Sequence, residues 1–226
     1  MGSINFKSLS GFVLGNVPIL LISVHGGYRR ILSLKRTNKR KKDIATLQIL
    51  FMIYRTIRRK NFARMPSIAF SLVHRGFCDL NRPIGDSAYS NFALNFHSFF
   101  HKNLRSIIDN MLKKFNSILV LDIHGTTRRK YDIYIRVKDE NFTPLELEFY
   151  KLFRLKGYIL QIRTLDEANI RYGFYTIRKY STQKVRVLQL EISIKKRSKK
   201  ILDKFVQDFS DIIEKIASFS MVNNAT

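Results

Sequence analysis

Two short apolar runs constrain this chain more than any other feature. Residues 117–125 read SILVLDIHG and residues 18–27 read PILLISVHGG. Runs of this length, β-branched in part and apolar but for Ser23 in the second, suit strands buried on both faces, which points to an open α/β sheet. Each run breaks off into a histidine followed by glycine: His25 before Gly26 and Gly27, His124 before Gly125. Ligands in such sheets bind at the carboxyl ends of strands, where the departing loops form a crevice over a rigid floor. Neutral imidazole is the commonest protein ligand for zinc and its neighbours, so the two strand ends predict a metal site between them. The glycines are read as turning the backbone sharply beside the ligand. Asp122 stands two residues before His124, so both point to the same side of an extended chain. It is expected either to bind the metal or to fix a histidine tautomer from behind.

The remaining segments predict alternating strands and helices. The first sixteen residues are weakly patterned and read as a loose lead-in to a strand over 19–24. After a basic run at 35–42, the spacing predicts a helix from Asp43 to Arg58. Asp43 has two readings there, as helix N-cap and as metal ligand. A strand is expected over 66–73, a phenylalanine-rich helix over 90–115, a strand at 117–121, another at 131–137, and a helix over 140–155 with Pro144 in its first turn. Strands at 157–163 and 185–192, an irregular aromatic stretch over 166–181, and an amphipathic helix over 198–219 complete the chain. His97 and His101 share a helix face, but no glutamate follows the first as in a metalloprotease helix, and they read as part of an ordinary, partly buried helix. The chain reads as a single domain, 1–226, with no internal repeat or long linker.

Among loop residues, Arg82 stands out, because a guanidinium can grip a carboxylate with two parallel hydrogen bonds. Its alternative is a local ion pair with Asp79 or Asp86. Lys and Arg number 41 against 17 Asp and Glu, a net charge of +24. Such a surface attracts a small anionic substrate and also binds nucleic acid non-specifically. One cysteine, Cys78, excludes an intrachain disulfide and suits a reducing, cytoplasmic setting as a small core side chain. No apolar stretch is long enough for a membrane span, and no signal peptide is recognisable.

Taken in order, Val24-His25-Gly26-Gly27, Asp43 with Thr46, Arg75 with the Asp79-Leu80-Asn81-Arg82-Pro83 block, Leu121 to Gly125, Tyr172-Gly173-Phe174 and Gln189 to Ile192 resemble the N-formylglutamate amidohydrolase family. The resemblance covers most of the chain, from Pro18 to about Arg197. It implies an α/β three-layer sandwich, a mixed, mostly parallel sheet with helices on both faces, similar to zinc-dependent exopeptidases. It also implies metal-dependent hydrolysis of an N-acyl amide on an acidic amino acid such as N-formylglutamate. Carried onto this sequence, His25 and His124 bind zinc or a similar divalent metal, Glu191 is the general base, and Arg82 holds the substrate carboxylate with help from Arg75 and Asn81. Tyr28 occupies the place where related carboxypeptidases carry a glutamate ligand, which leaves Asp43 as the third-ligand choice. An arginine among Arg75, Arg82 and Arg128 would balance charge on the oxyanion. Two other readings are a metallohydrolase for a larger anionic or RNA-linked conjugate, and a non-catalytic nucleic-acid-binding protein on a degenerate scaffold.

Overall fold

The structure, a computed structural model, describes residues 5–30, 43–87, 90–165 and 174–223. The basic run at 35–42 and the Tyr172-Gly173 pair lie outside the described residues. Seven strands form one sheet: β1 (Ser10–Val13), β2 (Ile19–Ser23), β3 (Ser67–Ser71), β4 (Ile118–Thr126), β5 (Ile133–Val137), β6 (Leu160–Thr164) and β7 (Val185–Ser193), in the spatial order β1-β3-β2-β4-β7-β5-β6. The block from β3 to β7 is parallel and β5 pairs in parallel with β6, while β1 and the β5–β7 contact are antiparallel. Helices cover both faces, giving the mixed, mostly parallel three-layer α/β architecture.

Alternation along the strands assigns each side chain to a layer. One face carries Leu119, Leu121 and Ile123 of β4 with Leu188 and Leu190 of β7. These pack against α1 (Thr46–Lys60), α4 (Pro144–Leu155) and α6 (Lys199–Asn223), whose Ile49, Ile53, Phe149, Phe153, Phe205 and Phe209 recur at helical spacing. The opposite face carries Ile118 and Val120 with Val185 and Val187, beneath Phe96, Phe100, Leu104 and Ile108 of α3 (Asn91–Leu112) and Ile177 and Tyr180 of α5 (Tyr175–Tyr180). A single turn, α2 (Ile84–Ser87), precedes α3.

Several boundaries differ from the sequence reading. The amino-terminal segment is not a loose lead-in: a 3-10 turn at Phe6–Leu9 leads into edge strand β1. Phe6 sits within 6 Å of the rings of Phe92, Phe96 and Phe99 on α3, and this aromatic packing outweighs the segment's weak periodicity. Strand β4 runs past Leu121 to Thr126, because β7 pairs with it along its whole length. Within the irregular stretch expected over 166–181, residues 175–180 form α5. Asp43 is not a helix cap: α1 starts at Thr46, with Ala45 in left-handed conformation at the N-cap. The glycines at the strand ends serve close approach rather than sharp turning, since the only described glycine with positive φ is Gly157. A Cβ on Gly26 would lie 2.6 Å from the Leu47 Cβ, so its absence lets α1 seat against the end of β2.

A buried ion pair ties α4 to the sheet. Arg186 of β7 donates from Nε to Glu146 Oε2 at 2.9 Å, and Glu146, fully buried, also closes the capping box with Thr143 at the start of α4. Arg186 reaches the more exposed Asp139 as well, at 3.2 Å. Removing one member of a buried pair strands the other charge. Glu146→Ala is therefore expected to cost about 3 kcal/mol of stability, the low end of that class because Asp139 remains. Denaturant unfolding measures it, and a loss under about 1 kcal/mol, the level of exposed pairs, would show that the pair carries little of the α4 docking.

Candidate active site

On the face beneath α3 and α5, the apolar pattern of the two central strands changes to polar at their carboxyl ends. Ile118 and Val120 are followed by Asp122 and His124; Val185 and Val187 are followed by Gln189 and Glu191. The parallel register sets Asp122 against Gln189 and His124 against Glu191, so four polar side chains share one face. His25 arrives from the adjacent strand β2, and its ring centroid is 4.6 Å from that of His124. These residues open onto a cleft of about 170 Å³ lined by His25, Asp43, Arg75, Asp79, Asn81 and Arg82 together with His124, Gly125, Phe174, Gln189 and Glu191.

Asp43 lies between the imidazoles. Its Oδ2 is 3.3 Å from His124 Nδ1 and 3.7 Å from His25 Nδ1, and it accepts the Gly125 amide at 3.1 Å. Its Oδ1 accepts from Arg75 at 3.1 Å. Burial alone would raise the Asp43 pKa, but hydrogen bonds and charge from His124 and His25 hold it well below the usual carboxylate range. The far nitrogens of both rings are backed by carboxylates. His25 Nε2 donates to Asp79 Oδ1 at 2.6 Å, and His124 Nε2 stands 3.1 Å from Asp122 Oδ1, an approach aligned for charge rather than for a hydrogen bond. Burial works against a charged His124, yet Asp122 first and then Asp43 push its pKa up to about 10.

The donor set fits a divalent metal. One atom each from His25, Asp43 and His124 can be chosen so that all three lie within 4.8 Å of one another. Ligand atoms around a tetrahedral zinc stand about 3.3 Å apart, given bond lengths of about 2.0–2.1 Å. His25 Nδ1 is buried with no hydrogen-bond partner, although it approaches the same Asp43 oxygen as His124 Nδ1 does. Carboxylates behind both imidazoles orient the rings, as metal-binding histidines require.

The arginines of the cleft are engaged with this carboxylate framework. Arg75 bridges Asp43 Oδ1 and Asp79 Oδ2 at 3.1 and 3.0 Å, and Arg82 Nε lies 3.6 Å from Asp79 Oδ2. The ion pair with Asp79 that the sequence left open for Arg82 is thus present, while the side chain still lines the cleft. Asn81 is an internal brace: its carbonyl oxygen accepts from the Thr176 amide and hydroxyl, and its amide donates to Gln189 at 2.9 Å. Arg128 is not brought to the cleft; it is exposed and lies over the Tyr134 ring, 5.7 Å from its centroid. Tyr28, at the position of the absent glutamate, is 58% exposed and faces a neighbouring groove. Sequence reasoning treated Asp79 only as a partner for Arg82 and missed its contact with His25. The signal was its place at the head of the Asp-Leu-Asn-Arg-Pro block. His97 and His101 bind backbone rather than face each other across a ligand, their Nε2 atoms donating to the Arg82 and Leu80 carbonyls, both at 2.9 Å. Burial lowers both their pKa values, which keeps them neutral donors holding that block in place.

No protein-family model matches the sequence, and neither does any curated protein. Solved structures do share the fold. N-formylglutamate amidohydrolase from Ralstonia eutropha JMP134 superposes with a TM-score of 0.73 at 13% identity, over 95% of this chain and 99% of that one. A gene product from Agrobacterium tumefaciens gives 0.66 at 15% identity, over 93% and 95% of the two chains. Succinylglutamate desuccinylase from Vibrio cholerae gives 0.56 at 16% identity, over 90% of this chain and 58% of that one. This chain is therefore similar in fold to structures of N-formylglutamate amidohydrolase and succinylglutamate desuccinylase.

Proposed function

We propose that this protein is a metal-dependent amidohydrolase that cleaves the N-acyl amide of a small acidic amino acid, with N-formylglutamate as the type of substrate. The observation that carries the reading is that His25, Asp43 and His124 each offer a ligand atom within 4.8 Å of the other two, with Asp79 and Asp122 beside the two rings. His25, Asp43 and His124 would hold zinc or a related ion. Such an ion, when bound, polarises the scissile carbonyl and favours ionisation of water near neutral pH. Glu191, whose carboxylate accepts from Gln189 at 3.3 Å, would take the proton of the attacking water and pass it to the leaving amine. Arg82 and Arg75, which line the cleft beside Asp79, would bind the substrate carboxylate and balance the developing oxyanion.

The size of the cleft favours a substrate of single-amino-acid scale, since sites for drug-sized ligands occupy roughly 300–1,000 Å³. A larger anionic or RNA-linked conjugate is the second reading, and the net charge of +24 is what favours it. No helix among the described residues is long and apolar enough to cross a membrane, and a cytoplasmic site of action suits the buried free thiol of Cys78.

Metal content is the primary test. The purified protein is expected to carry or take up about one equivalent of zinc, and the His25→Ala/His124→Ala double variant none. A parent that takes up no metal would remove the hydrolase mechanism, and salt-sensitive RNA retention by such a protein would favour the nucleic-acid reading. Asp79→Asn is expected to weaken zinc binding by roughly 10–100-fold in a chelator competition, because His25 loses its orienting carboxylate. Glu191→Gln should leave the metal bound yet cut turnover of an N-acyl acidic amino acid by about two or more orders of magnitude. Full activity in that variant would assign the base elsewhere.

A further inference from the structure

Arg197 lies beyond the end of β7, outside every element that forms the cleft, and is 8% exposed. Its guanidinium donates to three main-chain carbonyls from three separate segments. Nε reaches Ile192 at 3.0 Å, Nη2 reaches Thr126 at 2.8 Å, and Nη1 reaches Ile44. Ile44 follows Asp43, Thr126 lies two residues past His124, and Ile192 follows Glu191. The three segments bearing two of the proposed metal ligands and the proposed base are therefore joined through one planar group. All three acceptors are carbonyls rather than carboxylates, so what the fork contributes at this point is direction.

Gly125 supplies an independent sign that the contact is built in. A Cβ there would lie 2.5 Å from Nη1 and 2.6 Å from Cζ of Arg197, so the guanidinium occupies the space a side chain would need. On its other side, the Gly125 amide donates to Asp43 Oδ2 at 3.1 Å. Gly125 is thus held between Arg197 and the carboxylate that faces both imidazoles. Burial lowers the Arg197 pKa, and the charge of Asp43 offsets part of that effect.

We propose that Arg197 is a positioning residue that sets Asp43 against the His25–His124 pair by clamping the three segments together. Its consequence for metal binding rests on the function proposed above, while the clamp itself rests only on the contacts just described. The test is Arg197→Ala, read first by hydrogen exchange in metal-free protein. The Gly125 amide and residues 43–45 should exchange faster while α3 amides keep the parent's protection. Zinc affinity, measured by chelator competition, should fall by roughly 10–100-fold, the range for lost ligand-orienting groups. Methylguanidinium, at concentrations too low to unfold the chain, should restore part of both, and Arg197→Lys, which lacks the fork, should not. If Arg197→Ala does not fold, Gly125→Ala tests the same contact, since its methyl group must displace the guanidinium. Unchanged Gly125 exchange with parent-like zinc affinity would overturn the clamp. A parent that binds no zinc, combined with faster Gly125 exchange in the variant, would support the clamp and remove the metal reading instead.

Discussion

The parallel pairing of β4 with β7, in one register over nine residues, is the constraint on which the rest of the molecule depends. Strand side chains alternate with a period of two, so this register lays Leu119, Leu121, Leu188 and Leu190 into one helical layer. The same register brings Asp122 beside Gln189 and His124 beside Glu191 in the other. A slip of β4 by one residue would drive Asp122 and His124 into the hydrophobic layer under α1, α4 and α6. Core packing and site construction are thus one requirement.

Around that pair, charge is arranged in alternation. Asp43 and Asp79 face the imidazoles, Arg75 spans both carboxylates, and Arg82 approaches Asp79 from the following turn. Such a network is costly to bury unless each member is satisfied. The satisfaction here has gaps: His25 Nδ1 has no hydrogen-bond partner, and neither do the two Asp122 oxygens, of which Oδ1 stands 3.1 Å from His124 Nε2. A divalent ion held by His25, Asp43 and His124 would give that orphaned nitrogen a partner.

The site is also supported from outside. The Leu80 and Arg82 carbonyls are held by two neutral histidines of α3, while Asn81 joins the same block to α5 and β7. On the opposite flank, Arg197 gathers the backbone beside Asp43, His124 and Glu191. Ligand geometry in an α/β sheet needs rigid strands below and tethered loops above. Here both flanks are tethered by side chains that bond to backbone rather than to any ligand.

Periodicity and local chemistry, read from the sequence alone, determined the buried strands, the helices expected over 90–115 and 198–219, and the delivery of His25 and His124 to strand ends. These are short-range properties, set by alternation, helical spacing and the break from apolar to polar residues. Asp43 is where local reading ends. Its sequence neighbours suit a helix cap, and only the approach of β2 and β4 decides that its carboxylate faces two imidazoles instead. The contact of Asp79 with His25 spans 54 positions and that of Arg197 with Ile44 spans 153. No spacing rule reaches so far, because loop closure over such separations is decided by the packing of the whole sheet. Which arginines line the cleft was likewise decided by tertiary structure: Arg75 and Arg82 are held beside the buried Asp79, whereas Arg128 lies over the face of Tyr134.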